Sequence, residues 1–82
     1  MISESPLFPE LQDLFVEIFH VQRVDVGPET QFGELPQWDS MGHMDLMLAL
    51  EEKYGVEISA ETIGQLISIP AIITYIETKQ NA

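Results

Sequence analysis

Cysteine is absent from the 82-residue chain. That excludes a disulfide, a thiolate nucleophile and a zinc–thiolate site, and it suits a reducing compartment. Basic residues are scarce: three lysines and arginines stand against fourteen acids, a net charge of -11. Nucleic acid and anionic membranes repel such a surface, whereas basic proteins are steered toward it. Solubility alone is the plainer reading of the charge, so the placement of the acids has to decide. Neither a charged-then-apolar leader nor an apolar run of membrane-spanning length is present. A soluble, cytoplasmic protein is therefore expected. At 45% apolar residues the chain is globular, and its length suits a single domain over 1–82 with no room for a deep, walled active site.

Helical spacing organises what is there. Leu7, Leu11, Leu14 and Ile18, widened by Phe8, Phe15 and Phe19, predict a first helix from Pro6 to His20 capped by Ser5. Glu10, Gln12, Asp13 and Glu17 fill its polar side. Val21 to Asp39 reads as a long irregular connection packed by Val24, Val26, Phe32, Leu35 and Trp38, with Thr30 capping a short turn. A second helix is expected over Ser40–Tyr54, with Asp39 or Ser40 as N-cap and Gly55 as C-cap. Val56 to Ile58 is a short extended link. Ser59 then caps a short helix to about Leu66, and Ser68 before Pro70 opens a last helix to about Thr78 with an Ile72, Ile73, Ile76 stripe. Lys79 to Ala82 is expected to fray. The fold class is all-α: a four-helix bundle with three main helices and a short one.

The second helix has two apolar sides. At about 100° per residue, Leu46, Met47, Leu50 and Tyr54 share one side, and Met41, Met44 and Leu48 lie roughly opposite. A central helix buried on both sides is the plainer explanation. Against it, Asp45, Glu51 and Glu52 share the arc of Met41, Met44 and Leu48, and no basic residue precedes Lys53 in this helix. Burying unpaired carboxylates costs several kcal/mol, so this arc is expected to face water as an adaptable docking stripe.

Ser40 heads that helix. An N-cap role is the commoner one for such a serine. Alternatively, free amide groups and the helix dipole would stabilise a phosphate attached there. A Ser40 nucleophile with His43 and Asp39 is disfavoured, because no glycine stands two residues before the serine and a small bundle offers little pocket. His43 is expected to face solvent or to support a neighbour, and His20 to end the first helix. Asp25, Glu29 and Glu34 lack calcium-loop spacing, so no metal site is expected.

Asp39-Ser40-Met41, followed by Met44, Asp45, Leu46, Leu48, Leu50, Glu51, Glu52 and Tyr54-Gly55-Val56, resembles the acyl carrier protein family. Its signature is Asp-Ser-Leu opening an acidic, apolar-striped helix, and methionine replaces the leucine here. The resemblance runs over nearly the whole chain. It implies that a phosphopantetheinyl transferase moves 4′-phosphopantetheine from coenzyme A onto Ser40, so that the arm's thiol holds acyl groups as thioesters while the chain itself catalyses nothing. It further implies that Asp39, Met41, Met44, Asp45, Leu48, Glu51 and Glu52 form the surface on which transferase, acyl-loading and acyl-transfer or synthase enzymes dock with basic patches. A monomer binding neither nucleic acid nor membrane is expected. Two departures stand out: Trp38 replaces a small residue, and Gly42-His43 replaces an acidic helix start. The Trp-Asp-Ser-Met-Gly-His run is more similar to stand-alone carriers of specialised pathways, polyketide-type or loading small hydroxy or amino acids. D-alanine carriers are similar around Asp-Ser-Met-Gly but diverge later, and a free-standing peptidyl carrier stays open. Outside the family, the competing readings are an unmodified acidic adaptor binding through Met41, Met44 and Leu48, and, more distantly, a small serine hydrolase.

Overall fold

The computed structural model describes residues 4–80. Its elements are α1 (Leu7–Phe19), a 3-10 turn at Arg23–Asp25, α2 (Ser40–Tyr54), α3 (Ala60–Gln65) and α4 (Ile69–Gln80). The all-α bundle is as expected. Helix α1 packs on α2 and α4, and α2 on α3.

Each helix end follows from local chemistry. Pro6 already has helical dihedrals, and the Ser5 hydroxyl accepts from the Leu7 N–H at 3.2 Å, so Ser5 caps α1 from one residue further out than expected. His20 ends α1 in the left-handed conformation, its N–H returning to the Val16 carbonyl. The Asp39 carboxylate accepts from the Gly42 N–H at 2.8 Å, and Gly55 closes α2 at φ 71°, where a Cβ would be strained. Ser59 and Thr62 exchange hydrogen bonds as a capping box for α3. The Ser68 hydroxyl accepts from the Ala71 N–H at the start of α4. Helix α4 runs on to Gln80, beyond the expected end at Thr78; Lys79 sits in its last turn, where the dipole favours a cation. The rest of the tail expected to fray, residues 81–82, lies outside the described residues.

The core joins Leu7, Leu11, Leu14, Phe15 and Phe19 of α1 to Leu46, Met47 and Leu50 of α2 and Ile69, Ile72, Ile73 and Ile76 of α4. Burying each such side chain is worth about 1.5–3 kcal/mol against leaving it exposed. At its edge the Tyr54 hydroxyl donates to Glu10 at 2.9 Å, joining α2 to α1.

The long connection is ordered by what it packs against. Gln12 donates to the carbonyls of Val26 and Arg23, and the Arg23 guanidinium meets the Asp13 carboxylate, fixing its first half on α1. The Thr30 hydroxyl accepts from the Gly27 N–H at 2.7 Å, closing the expected short turn. Phe32 N–H donates to the Ile67 carbonyl and Ile69 N–H to the Thr30 carbonyl, fastening the second half to the α3–α4 link. Val26 and Trp38 are buried and Leu35 partly so. Val24 is 82% exposed, contrary to expectation, because the 3-10 turn points it outward while Gln12 holds the backbone on either side.

Candidate functional site

Two sides of α2 separate in the fold. Leu46, Met47 and Leu50 are fully buried and Tyr54 half-buried, whereas Met41 is 82%, Leu48 52% and Met44 40% exposed. Asp39, Asp45, Glu51 and Glu52 are exposed with them. The first side is packed into the core with residues of α1 and α4, and the second carries apolar surface among carboxylates.

Ser40 is exposed at the first position of α2. Asp39, not Ser40, makes the capping hydrogen bond, and the Ser40 hydroxyl is bound to none of the described residues. The amides of Ser40 and Met41 precede the first intrahelical bond, which His43 N–H makes to the Asp39 carbonyl at 2.7 Å. A phosphate on the Ser40 oxygen would sit at the positive end of the helix dipole. Beside it lies a cavity of about 440 Å³ lined by Phe32, Ser40, His43, Met44, Ile63 and Ile67. An exposed, unengaged hydroxyl with an apolar hollow at its foot fits attachment of a flexible phosphate-linked arm. A larger hollow of about 790 Å³ along α4, walled by Leu66, Pro70, Ala71 and Tyr75, includes none of the candidate residues.

Two residues beside the serine sharpen the expectations. His43 is buried, so of its two expected places it takes the one that supports a neighbour and not the solvent-facing one. Trp38 Nε1–H donates to its Nδ1 at 2.9 Å, and its Nε2 lies 2.8 Å from the Ile63 carbonyl. Indole is only a donor, so His43 carries its proton on Nε2 and gives it to Ile63. Neither nitrogen is left to take a proton from Ser40, which removes the base a serine hydrolase needs. Gly42, which the sequence marks only as a departure from an acidic helix start, serves the fold itself: a Cβ there would collide with the Gln37 carbonyl oxygen and stand 2.9 Å from the Phe19 ring. Sequence reasoning missed this pair because the signal lies in residues brought together only by folding. Trp38 joins Phe15 at 5.0 Å edge to face and stacks on Phe19 at 6.4 Å, while Phe32 packs against both Trp38 and His43.

Asp25, Glu29 and Glu34 form no metal-holding group; among the described residues no cluster of three such side chains exists. Nor is any described helix long and apolar enough to cross a membrane.

Comparison with known proteins agrees with this geometry. Residues 9–76 match the profile of the family described as "Phosphopantetheine attachment site". The chain is 37% identical over 76 residues to an "Acyl carrier protein" of Helicobacter pylori (strain ATCC 700392 / 26695), covering 93% of this chain and 97% of the relative. It is 38% identical over 71 residues to an "Acyl carrier protein" of Campylobacter hominis, covering 87% and 90%. With one from Wolinella succinogenes it shares 31% over 74 residues, covering 90% and 97%. Such proteins are carriers rather than catalysts, and their cofactor is covalent 4′-phosphopantetheine. The chain belongs to the acyl carrier protein family, with a phosphopantetheine attachment domain across most of its length.

Proposed function

We propose that Ser40 is the attachment residue and that residues 1–82 act as one non-catalytic, monomeric, cytoplasmic carrier domain. The observation that carries this reading is the exposed, unengaged Ser40 hydroxyl beside an N-cap already filled by Asp39. When bound, the arm supplies the thiol that holds an acyl group as a thioester. The chain's own residues present it: the α2 amides stabilise the phosphate, and the stripe of Met41, Met44 and Leu48 among Asp39, Asp45, Glu51 and Glu52 receives partners. Those partners are a phosphopantetheinyl transferase and acyl-loading, acyl-transfer or synthase enzymes with basic patches. Exposed methionines adapt to several such surfaces, and a carboxylate rim speeds encounter without a large buried area. The pathway is a specialised one, polyketide-type or handling small hydroxy or amino acids. Trp38, Gly42 and His43, where the chain departs from the housekeeping pattern, support this.

Intact mass after incubation with coenzyme A, magnesium and a broad-specificity transferase tests the assignment. Wild type gains one phosphopantetheine and Ser40→Ala none. Modification of Ser40→Ala moves the site elsewhere; an unmodified wild type beside a modified control carrier favours the unmodified adaptor.

A further inference from the structure

Of the buried polar side chains among the described residues, Thr30, His43 and Thr62, only histidine changes charge near neutral pH. Both its nitrogens are committed. Because Trp38 Nε1–H can only donate, Nδ1 must keep its lone pair. A second proton on Nδ1 would set two N–H donors against each other 2.9 Å apart. Protonation of His43 and its bond to Trp38 are therefore mutually exclusive. Trp38 is fully buried and pinned by the Phe15 and Phe19 rings, so it is the imidazole that turns or withdraws, and either motion breaks the Nε2–H bond to Ile63, which ties α2 to α3. Ile63 and Ile67, with Phe32 and Met44, wall the cavity beside Ser40.

We infer that His43 is a positioning residue: a proton-sensitive latch that holds α3 against the start of α2 as a neutral imidazole and releases it on protonation. The ring is faced by the Trp38 indole, the Phe32 ring and the Ile63 carbonyl. Charged groups on the surrounding elements are Asp39 at the N-cap of α2, Asp45, Glu51, Glu52 and Lys53 on α2, Glu61 on α3, Arg23, Asp25, Glu29 and Glu34 in the long connection and His20 after α1, all exposed. None hydrogen-bonds to the ring, and the Asp39 carboxylate is engaged on Gly42. No carboxylate is thus in place to hold the imidazolium where the neutral ring sits. The latch is independent of whether Ser40 carries an arm, so the unmodified full chain is the sample.

The test is a nuclear magnetic resonance titration from about pH 8 to about pH 5, the range in which histidine changes charge. At the start, the ring nitrogens of His43 report the Nε2–H tautomer. On acidification the His43 ring, the Trp38 indole N–H and the amides around Ile63 and Ile67 shift with one common midpoint, while those in the middle of α1 and α4 stay still. In His43→Gln the shifts at Trp38 and α3 vanish. An Nδ1–H tautomer overturns the inference, as does a His43 titration that leaves α3 unmoved, a His43 that stays neutral to the end of the range, or α3 shifts that persist in His43→Gln. Should His43→Gln fail to fold, the wild-type titration decides alone.

Discussion

Leu46, Met47 and Leu50 on one side of α2, and Met41, Met44 and Leu48 on the other, are similar sets of side chains with opposite surroundings. The first three are dry; the second three keep 40–82% of their surface. Hydrophobicity does not separate them. What separates them is company: carboxylates line the second side and, forming no ion pair among the described residues, they hold that side in water. An apolar stripe kept exposed by its own acidic neighbours is a surface available to partners.

The contrast can be strained from either side. On the buried face, Leu50→Ala should cost about 2–5 kcal/mol in denaturant unfolding, through lost burial and the cavity left behind. A loss below 1 kcal/mol would mean the face is not packed as described. Gly42→Ala sets two effects against each other. Helix propensity gains about 1 kcal/mol, but the new methyl meets the Gln37 backbone carbonyl, which cannot swing aside. The clash should win, for a net loss of about 1–3 kcal/mol; a more stable variant would remove the close approach as the reason for glycine.

On the exposed face, reversing Glu51 and Glu52 to lysine should leave unfolding within about 0.5 kcal/mol of wild type. It should slow transferase modification several-fold at low salt and less at high salt. A rate that ignores both charge and salt would reduce the acids to solubility. Tyr54 marks the boundary between the faces. Burial first, then its hydrogen bond to Glu10, raises its phenol well above the usual range. The folded state therefore keeps the phenolic proton longer than the unfolded chain. This contribution is full below about pH 10 and is lost as pH climbs through the higher folded value. Tyr54→Phe should flatten that alkaline decline in an unfolding series, and an unchanged slope would place its cause elsewhere.

Much of this was legible before folding. Caps and periodicity are local, so α2 was expected with its observed bounds, Gly55 at its end and Asp39 or Ser40 at its start; the structure decides for Asp39. The two faces followed from spacing and charge. The chemistry around His43 was not legible, because its partners are Trp38 in the long connection and a backbone carbonyl twenty residues on. The need for glycine at position 42 was hidden for the same reason: nothing in the local sequence says that Gln37 folds back over it. Val24 was overread, since one apolar residue in a loop carries no periodicity to reveal its direction.

The division of labour on α2 is tested most directly by the rate at which a transferase modifies Leu48→Ala, measured beside its unfolding free energy. Stability should stay within about 0.5 kcal/mol of wild type, while the rate falls about fivefold, the effect of losing about 1 kcal/mol at a partner contact. Full-speed modification, or a stability loss rivalling that of Leu50→Ala, would contradict a face reserved for partners.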